Sequence, residues 1–320
     1  MLSRRNVRVK VMQLLYAQRQ DPELTPRLAA AAFDSMVEQS YRTLLFELYA
    51  FSRVLREARG DHERRRVRLR KTDADAAFRP YLYDNPVVLA LANAPELARA
   101  AERHRFAELL DEERLRGFYD TAKSWEGYEA YATEAEPTLD QHLGAVLKAH
   151  KALMDDEGYN DHLEDHFARW DQDKSLVIGA AKKVIKSLPA AALDAAGEPQ
   201  RPFLQAYRPA DETVRDFGRH LLEYVLAEDA RLLDSIRPVL TNWDPERVAV
   251  LDMILLKMAL GELLEFSQIP PKVTLNEYVE LAKTYSTDKS KDFVNGVLDA
   301  LLRNLRKDGL IVKEGRGLVE

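Results

Sequence analysis

The chain contains no cysteine. Disulfides, thiolate-bound zinc and a cysteine nucleophile are therefore excluded. Long apolar runs are missing too. Lys10 and Gln13 interrupt the stretch from Val7 to Leu15, so no signal-peptide core follows the first basic residues, and no segment reaches membrane-spanning length without charge. The expected location is the cytoplasm, with no membrane partner. Glycine is scarce, 13 of 320 residues, and no run alternates apolar and polar residues as a strand would. Ala and Leu are abundant, and the expected fold class is all-α. The phosphate loops G-x-x-x-x-G-K-[ST] and G-x-G-x-x-G and the nucleophile elbow G-x-S-x-G are absent. His162-Leu163-Glu164-Asp165-His166 places two histidines at i, i+4, but lacks the H-E-x-x-H arrangement and a third ligand. Neither a metal, a cofactor nor an enzyme activity is expected.

What is present is charge, unevenly spread. The net charge is −6, yet residues 1–20 hold Arg4, Arg5, Arg8, Lys10 and Arg19 and no acid. A second basic cluster runs Arg64, Arg65, Arg66, Arg68, Arg70, Lys71. The middle is acidic, with Asp155, Asp156, Glu157, Asp161, Glu164 and Asp165. Such a distribution fits one polyanion-binding face on an acidic body. The acidic stretch should repel such a polyanion and suits a basic protein.

Apolar spacing predicts a first helix capped by Ser3, with a stripe of Val7, Val11, Leu14 and Leu15, ending at Asp21-Pro22. A second begins at Thr25-Pro26 and runs towards Leu55. From Gly60 the basic cluster and Asn85-Pro86 suggest loops around shorter helices. Further helices are expected near 96–135, 138–154, 159–169 and 173–187. Residues 189–210, with Pro189, Gly197, Pro199, Pro202 and Pro209, read as a linker. Beyond it, Asp211 caps a helix, Asn242-Trp243-Asp244-Pro245-Glu246 starts a long apolar one, and two more follow Pro270-Pro271. Residues 152–188 can be laid on 225–261 without a gap, so that Trp170-Asp171 meets Trp243-Asp244. The expected division is 1–60 N-terminal helices, 61–210 helical insertion and linker, 211–308 C-terminal helical domain, and 309–320 tail.

Arg4, Arg5 and Arg8 fall within an arc of about 100° on an ideal helix. Like charge at a helix N-terminus is unfavourable, and a bound anion would relieve it. Arginine can bind phosphate bidentately and stack on unpaired bases. Near the other end, Thr287 or Asp288 can cap the last helix, whose N-terminal amides form an anion site supplemented by Lys289, Ser290 and Lys291, with Phe293 close by. Lys257 interrupts an apolar run, and either snorkels or reaches an anion.

These segments carry a resemblance. Pro271-Lys272-Val273-Thr274-Leu275-Asn276-Glu277, then Glu280-Leu281-Ala282-Lys283, resembles the NusB signature P-x-K-V-x-I-N-E followed by E-L-A-K. Phe293-Val294-Asn295-Gly296-Val297-Leu298-Asp299 is similar to F-V-N-G-V-L-D without change. The run from Ile254 to Leu263 resembles I-L-R-x-A-x-x-E-L, and Arg4-Arg5, Arg8 and Gln13-Leu14-Leu15-Tyr16 resemble R-R-x-A-R and Q-x-L-Y. Asn6 departs from a frequent arginine, and Lys257 stands where Arg is common. The resemblance covers residues 3–20 and 211–305 but not 60–210. It implies a NusB-like two-subdomain helical bundle with an extra helical insertion. It also implies binding of boxA RNA in ribosomal RNA transcripts, together with the small-subunit ribosomal protein NusE, in an RNA polymerase antitermination complex. By the same resemblance Arg4, Arg5, Arg8, Lys10, Gln13, Lys257, Lys289, Ser290, Lys291, Phe293 and Asn295 are the expected RNA-binding residues. A NusB-like domain also precedes the catalytic domain of some ribosomal RNA cytosine methyltransferases, but those need a cysteine nucleophile. The remaining rival is a protein–protein scaffold that no longer binds RNA.

Overall fold

The computed structural model describes residues 1–194, 203–240 and 248–318. Every regular element among them is helical. In chain order these are α1 (Arg4–Gln20), α2 (Pro26–Arg66), α3 (Asp73–Ala77), α4 (Pro86–Ala92), α5 (Pro95–Arg103), α6 (Glu112–Ala122), α7 (Tyr128–Ala132), α8 (Leu139–Met154), α9 (Glu157–His166) and α10 (Trp170–Asp194). They continue with α11 (Asp211–Thr213), α12 (His220–Ala227), α13 (Asp229–Ile236), α14 (Val250–Glu265), α15 (Pro271–Tyr285) and α16 (Ser290–Lys307). None is long and apolar enough to cross a membrane. Two compact units emerge: Leu2–Glu38 with Pro209–Glu320, and Met1 with Gln39–Arg208. The division falls inside α2.

The unit that joins both chain ends is organised on α14. Leu255, Leu256, Met258, Ala259, Leu260 and Leu263 are fully buried, so this helix is apolar nearly all round. Helices α1, α12, α13, α15 and α16 pack against it. Ser3 caps α1 by accepting the Asn6 amide, while its own amide donates to Asn6 Oδ1, a capping box that gives the unusual Asn6 a structural task. Between α11 and α12, Val214–Arg219 form a π-helical segment. There Gly218 meets α1 and the start of α2 so closely that a Cβ would lie 2.6 Å from Phe33 Cζ on α2 and nearer still to Val7 Cγ1 on α1. At the tail, Lys313 Nζ donates to the Leu263 and Phe266 carbonyls at 2.9 Å each, covering the C-terminal end of α14.

The other unit has its own core, in which Phe46, Phe51, Phe78, Phe106, Tyr119, Tyr159 and Trp170 are almost fully buried. Two elements differ from the sequence expectation. Gly60 does not end α2, which runs on to Arg66, because Arg65 pays for the continuation with internal bonds. Its guanidinium donates to both Glu129 oxygens at 3.0 and 2.6 Å and stacks 4.0 Å over Phe78, and basic residues in the last turn suit the helix dipole. Pro189 lies inside α10 rather than in a linker, and buried Ile185 and Leu188 hold the helix there. Residues 195–202 of the expected linker lie outside the described residues, and Leu204–Tyr207 form a 3-10 turn.

At the offset read from sequence, α8 and α12 end together at Met154 and Ala227 and α9 overlaps α13, but α14 begins at Val250, seven residues beyond the position that corresponds to the start of α10 at Trp170. Trp243, the counterpart of Trp170, lies outside the described residues. Buried His150 Nε2 pairs with Glu47 Oε1 at 3.0 Å.

Two measurements probe these units. Gly218→Ala overpacks the contact with α1 and should destabilise by about 1–3 kcal/mol, read by denaturant unfolding; an unchanged midpoint would contradict the close approach. His162, 2% exposed, has its pKa lowered from 6.5 to about 4 by burial, then by the neighbouring His166 and Arg114 charges. Between pH 6.5 and about 4 the unfolded state therefore binds the extra proton, and stability falls as the pH drops through this window. The melting temperature of His162→Gln should fall less from pH 7 to pH 4.5 than that of the unaltered protein, and equal slopes would refute the assignment.

Candidate nucleic-acid interface

The first two turns of α1 carry three arginines that the structure treats differently. Arg8 is 2% exposed. Its Nε and NH2 groups donate to Glu262 Oε2 and Oε1 on α14 at 2.7 and 2.6 Å, a bidentate pair with side-chain exposures of 3% and 0%. Glu262 is further satisfied by Thr274 Oγ1 at 2.8 Å and Tyr278 OH at 3.0 Å, both from α15. The Arg8 guanidinium also lies 5.0 Å from the Phe217 ring centroid and 3.4 Å from Glu277 Oε2. Burial opposes the Arg8 charge, but the bonds and charge of Glu262 outweigh it and hold its pKa above the ordinary value. Burial, and then Glu262, push the Tyr278 hydroxyl well up, so it stays a donor. Arg8, expected from sequence to contact RNA, is thus turned inward: its Nε, NH1 and NH2 groups each donate to a carboxylate of the protein, and its side chain is 3% exposed.

Arg5 behaves otherwise. It donates to both Glu277 oxygens at 3.0 and 2.8 Å, yet its side chain remains 54% exposed. The Arg5 hydrogen bond lowers the Glu277 pKa, and the nearby Arg8 charge adds to it. Arg4 reaches Glu212 at 3.4 Å with both side chains exposed. Lys10 is buried with Arg8, and Gln13 is half-buried one turn further on.

The second cluster is set by Asp252 of α14, which is 5% exposed. Ser286 Oγ donates to its Oδ1 at 2.6 Å and Ser290 Oγ to its Oδ2 at 2.7 Å, while Thr287 Oγ1 lies 2.8 Å from Ser290 Oγ. This network pins the α15–α16 turn. Ser290 is 2% exposed, so it positions the turn and does not present itself to a ligand. Neither Thr287 nor Asp288 caps α16; Lys289 occupies the cap position without a side-chain hydrogen bond. Lys289, Lys291 and Asn295 are exposed and Phe293 is half-buried. Lys257 is not on this rim. It pairs with Asp229 of α13 at 2.5 Å, its side chain 12% exposed.

Helix α15 links the two exposed groups. Glu277 receives Arg5, and two turns on, about 12 Å along the axis, the helix ends at Tyr285 before Lys289. Of the residues that build this arrangement, Glu262 and Glu277 fall within the motifs quoted from sequence but were not expected at the site, and Tyr278, Phe217 and Asp252 were not singled out. One signal was available: Glu262 is a second charge inside the apolar run that Lys257 interrupts. Among the described residues, no group of three His, Asp or Glu is placed to hold a metal ion.

Fold and site define a helical bundle clamped by a buried Arg–Glu pair and rimmed by exposed cations on α1 and α16. The NusB family profile matches residues 178–303. The match begins within α10, so residues 178–210, read from sequence as outside the resemblance, fall inside it. A transcription antitermination protein NusB of Salinibacter ruber is 44% identical over 109 residues, 34% of this chain and 68% of the relative. One from Syntrophotalea carbinolica is 40% identical over 114 residues, 35% of this chain and 70% of the relative. One from Chloroherpeton thalassium is 40% identical over 111 residues, covering 53% of its length. No solved structure matches. The chain belongs to the NusB family, and with it to the transcription antitermination factors rather than to enzymes.

Arg8→Ala leaves Glu262 buried without its counter-charge and should cost about 3–5 kcal/mol. Arg4→Ala breaks only an exposed pair, worth about 1 kcal/mol or less. Denaturant unfolding of the two variants checks this, and similar costs would contradict the distinction.

Proposed function

We propose that the chain acts in transcription antitermination by binding boxA-type RNA of ribosomal RNA operon transcripts together with NusE, within the RNA polymerase antitermination complex of the cytoplasm. The observation that carries this reading is the match to relatives named transcription antitermination proteins. The exposed cations support it. Arg5, its guanidinium held by Glu277 yet half-exposed, and Arg4 stand at the start of α1, while Lys289 and Lys291 flank the uncapped amides of α16. Such groups attract a phosphate backbone and leave splayed bases to be read by stacking and by Asn295 and Gln13. Arg8, Lys10 and Ser290 act beneath this surface.

One observation favours the rival scaffold: two basic residues of the family pattern, Arg8 and Lys257, are paired internally. Binding decides. Replacing Arg5, Lys289 and Lys291 together by Gln should weaken boxA binding by more than about tenfold and flatten its salt dependence, while loss of the half-exposed Arg5–Glu277 pair should cost about 1 kcal/mol or less of stability. Affinity measured with and without NusE completes the test. An unaltered protein that binds boxA in neither case would support the scaffold.

A further inference from the structure

The acidic composition of the insertion conceals a segregated charge. Residues 53–71 contain nine Lys or Arg and three Asp or Glu. Several of these cations are bound internally: Arg59 to Asp84 at 2.6 Å, Arg65 to Glu129, Arg66 to Glu63 at 3.0 Å and Arg68 to Asp75 at 2.7 Å. Others are not. Arg53 comes no nearer than 4.0 Å to Glu112, and Arg64 no nearer than 3.9 Å to Asp61. Arg56, Arg70 and Lys71 are exposed, with no carboxylate partner among the described residues. Arg53, Arg56 and Arg64 fall within an arc of about 80° on α2. A groove lined by Arg53, Arg56, Arg59, Gly60, Glu57 and Glu112 runs along that face. The lack of a side chain at Gly60 lets Arg64 fold back over the helix, its NH1 3.1 Å from where a Cβ would sit. Beyond the helix end, Leu69 and Val67 stand free in the basic loop, 104% and 77% exposed.

We infer that this end of the insertion, α2 from Arg53 together with the loop to Lys71, is a binding surface for single-stranded RNA backbone, separate from the rim on α1 and α16. The inference rests on the proposed function only in taking RNA as the polyanion. Three features select this ligand. The cations extend along about 20 Å of helix and then along a loop, which suits a linear polyanion rather than a point ligand. Eight of the nine are arginine, the residue that both bridges phosphates and stacks on bases. Two aliphatic side chains without an aromatic neighbour in the loop give too little apolar area to anchor a membrane surface. The sequence expectation is an insertion that repels RNA; on this proposal its cationic segment from Arg53 to Lys71 attracts RNA instead.

The test uses the full chain with Arg56, Arg64, Arg70 and Lys71 all replaced by Gln, none of which makes a close ion pair. The probe is a long single-stranded RNA of scrambled sequence, free of boxA. The unaltered protein should bind it, and the variant should lose about tenfold or more in affinity at low salt, with a salt slope shallower by about 3. The melting temperature should not change. The same RNA should still bind the Arg5, Lys289, Lys291 variant, and a short boxA RNA should still bind the Arg56, Arg64, Arg70, Lys71 variant, so a failure of boxA recognition leaves this outcome readable. Equal affinity and slope for the variant and the unaltered protein would overturn the inference. So would charge-dependent capture by anionic phosphatidylserine vesicles, or by an acidic polypeptide, where the RNA is not bound.

Discussion

The buried ion pair between Arg8 and Glu262 is the constraint on which the N-terminal and C-terminal segments of this protein depend. Two charges removed from water are tolerable only if each is fully paired. Here the bidentate geometry, the Thr274 and Tyr278 hydroxyls and the Phe217 face provide that pairing. The partners come from α1, α14, α15 and the π-helical segment, so one pair fixes the mutual position of elements far apart in sequence. Gly218 then lets α1 approach closely enough for the arginine to arrive.

From this clamp the exposed rim follows. Glu277, drawn towards Arg8 at 3.4 Å, uses its oxygens to orient Arg5 at the surface. Asp252, nearly three turns before Glu262 on α14, holds the turn that displays Lys289 and Lys291. One apolar helix thus carries two buried acids, and each places a different set of exposed cations. A negative helix interior serving a positive surface is the economy of this fold.

Much of the fold was legible in the sequence because it rests on local rules. Ser3 before an apolar stripe, Thr25-Pro26 and Pro270-Pro271 mark helix starts that the structure retains. What local rules misjudge is the strength of tertiary contacts. Gly60 and Pro189 looked like breaks, yet buried neighbours carry both helices through them. The same holds for the site. Arg4, Arg5 and Arg8 share one arc, and nothing in that arc tells which of them points inward. Burial of Arg8 becomes visible only with its partner, 254 residues away. The partners of Lys257 and Ser290 were equally invisible, since Asp229 and Asp252 lie on other helices.

The insertion adds a second body with its own core and its own buried Glu47–His150 pair. The family region keeps its clamp independently of that body, since Arg8, Glu262, Thr274 and Tyr278 all belong to the other unit. A double-mutant cycle tests this clamp most directly. Unfolding free energies are measured for Arg8→Met, Glu262→Gln, the double variant and the unaltered protein. If the pair holds the helices as described, the two single losses exceed the loss in the double variant, with a coupling on the order of 2–3 kcal/mol. Losses that simply add, to within about 0.5 kcal/mol, would contradict it.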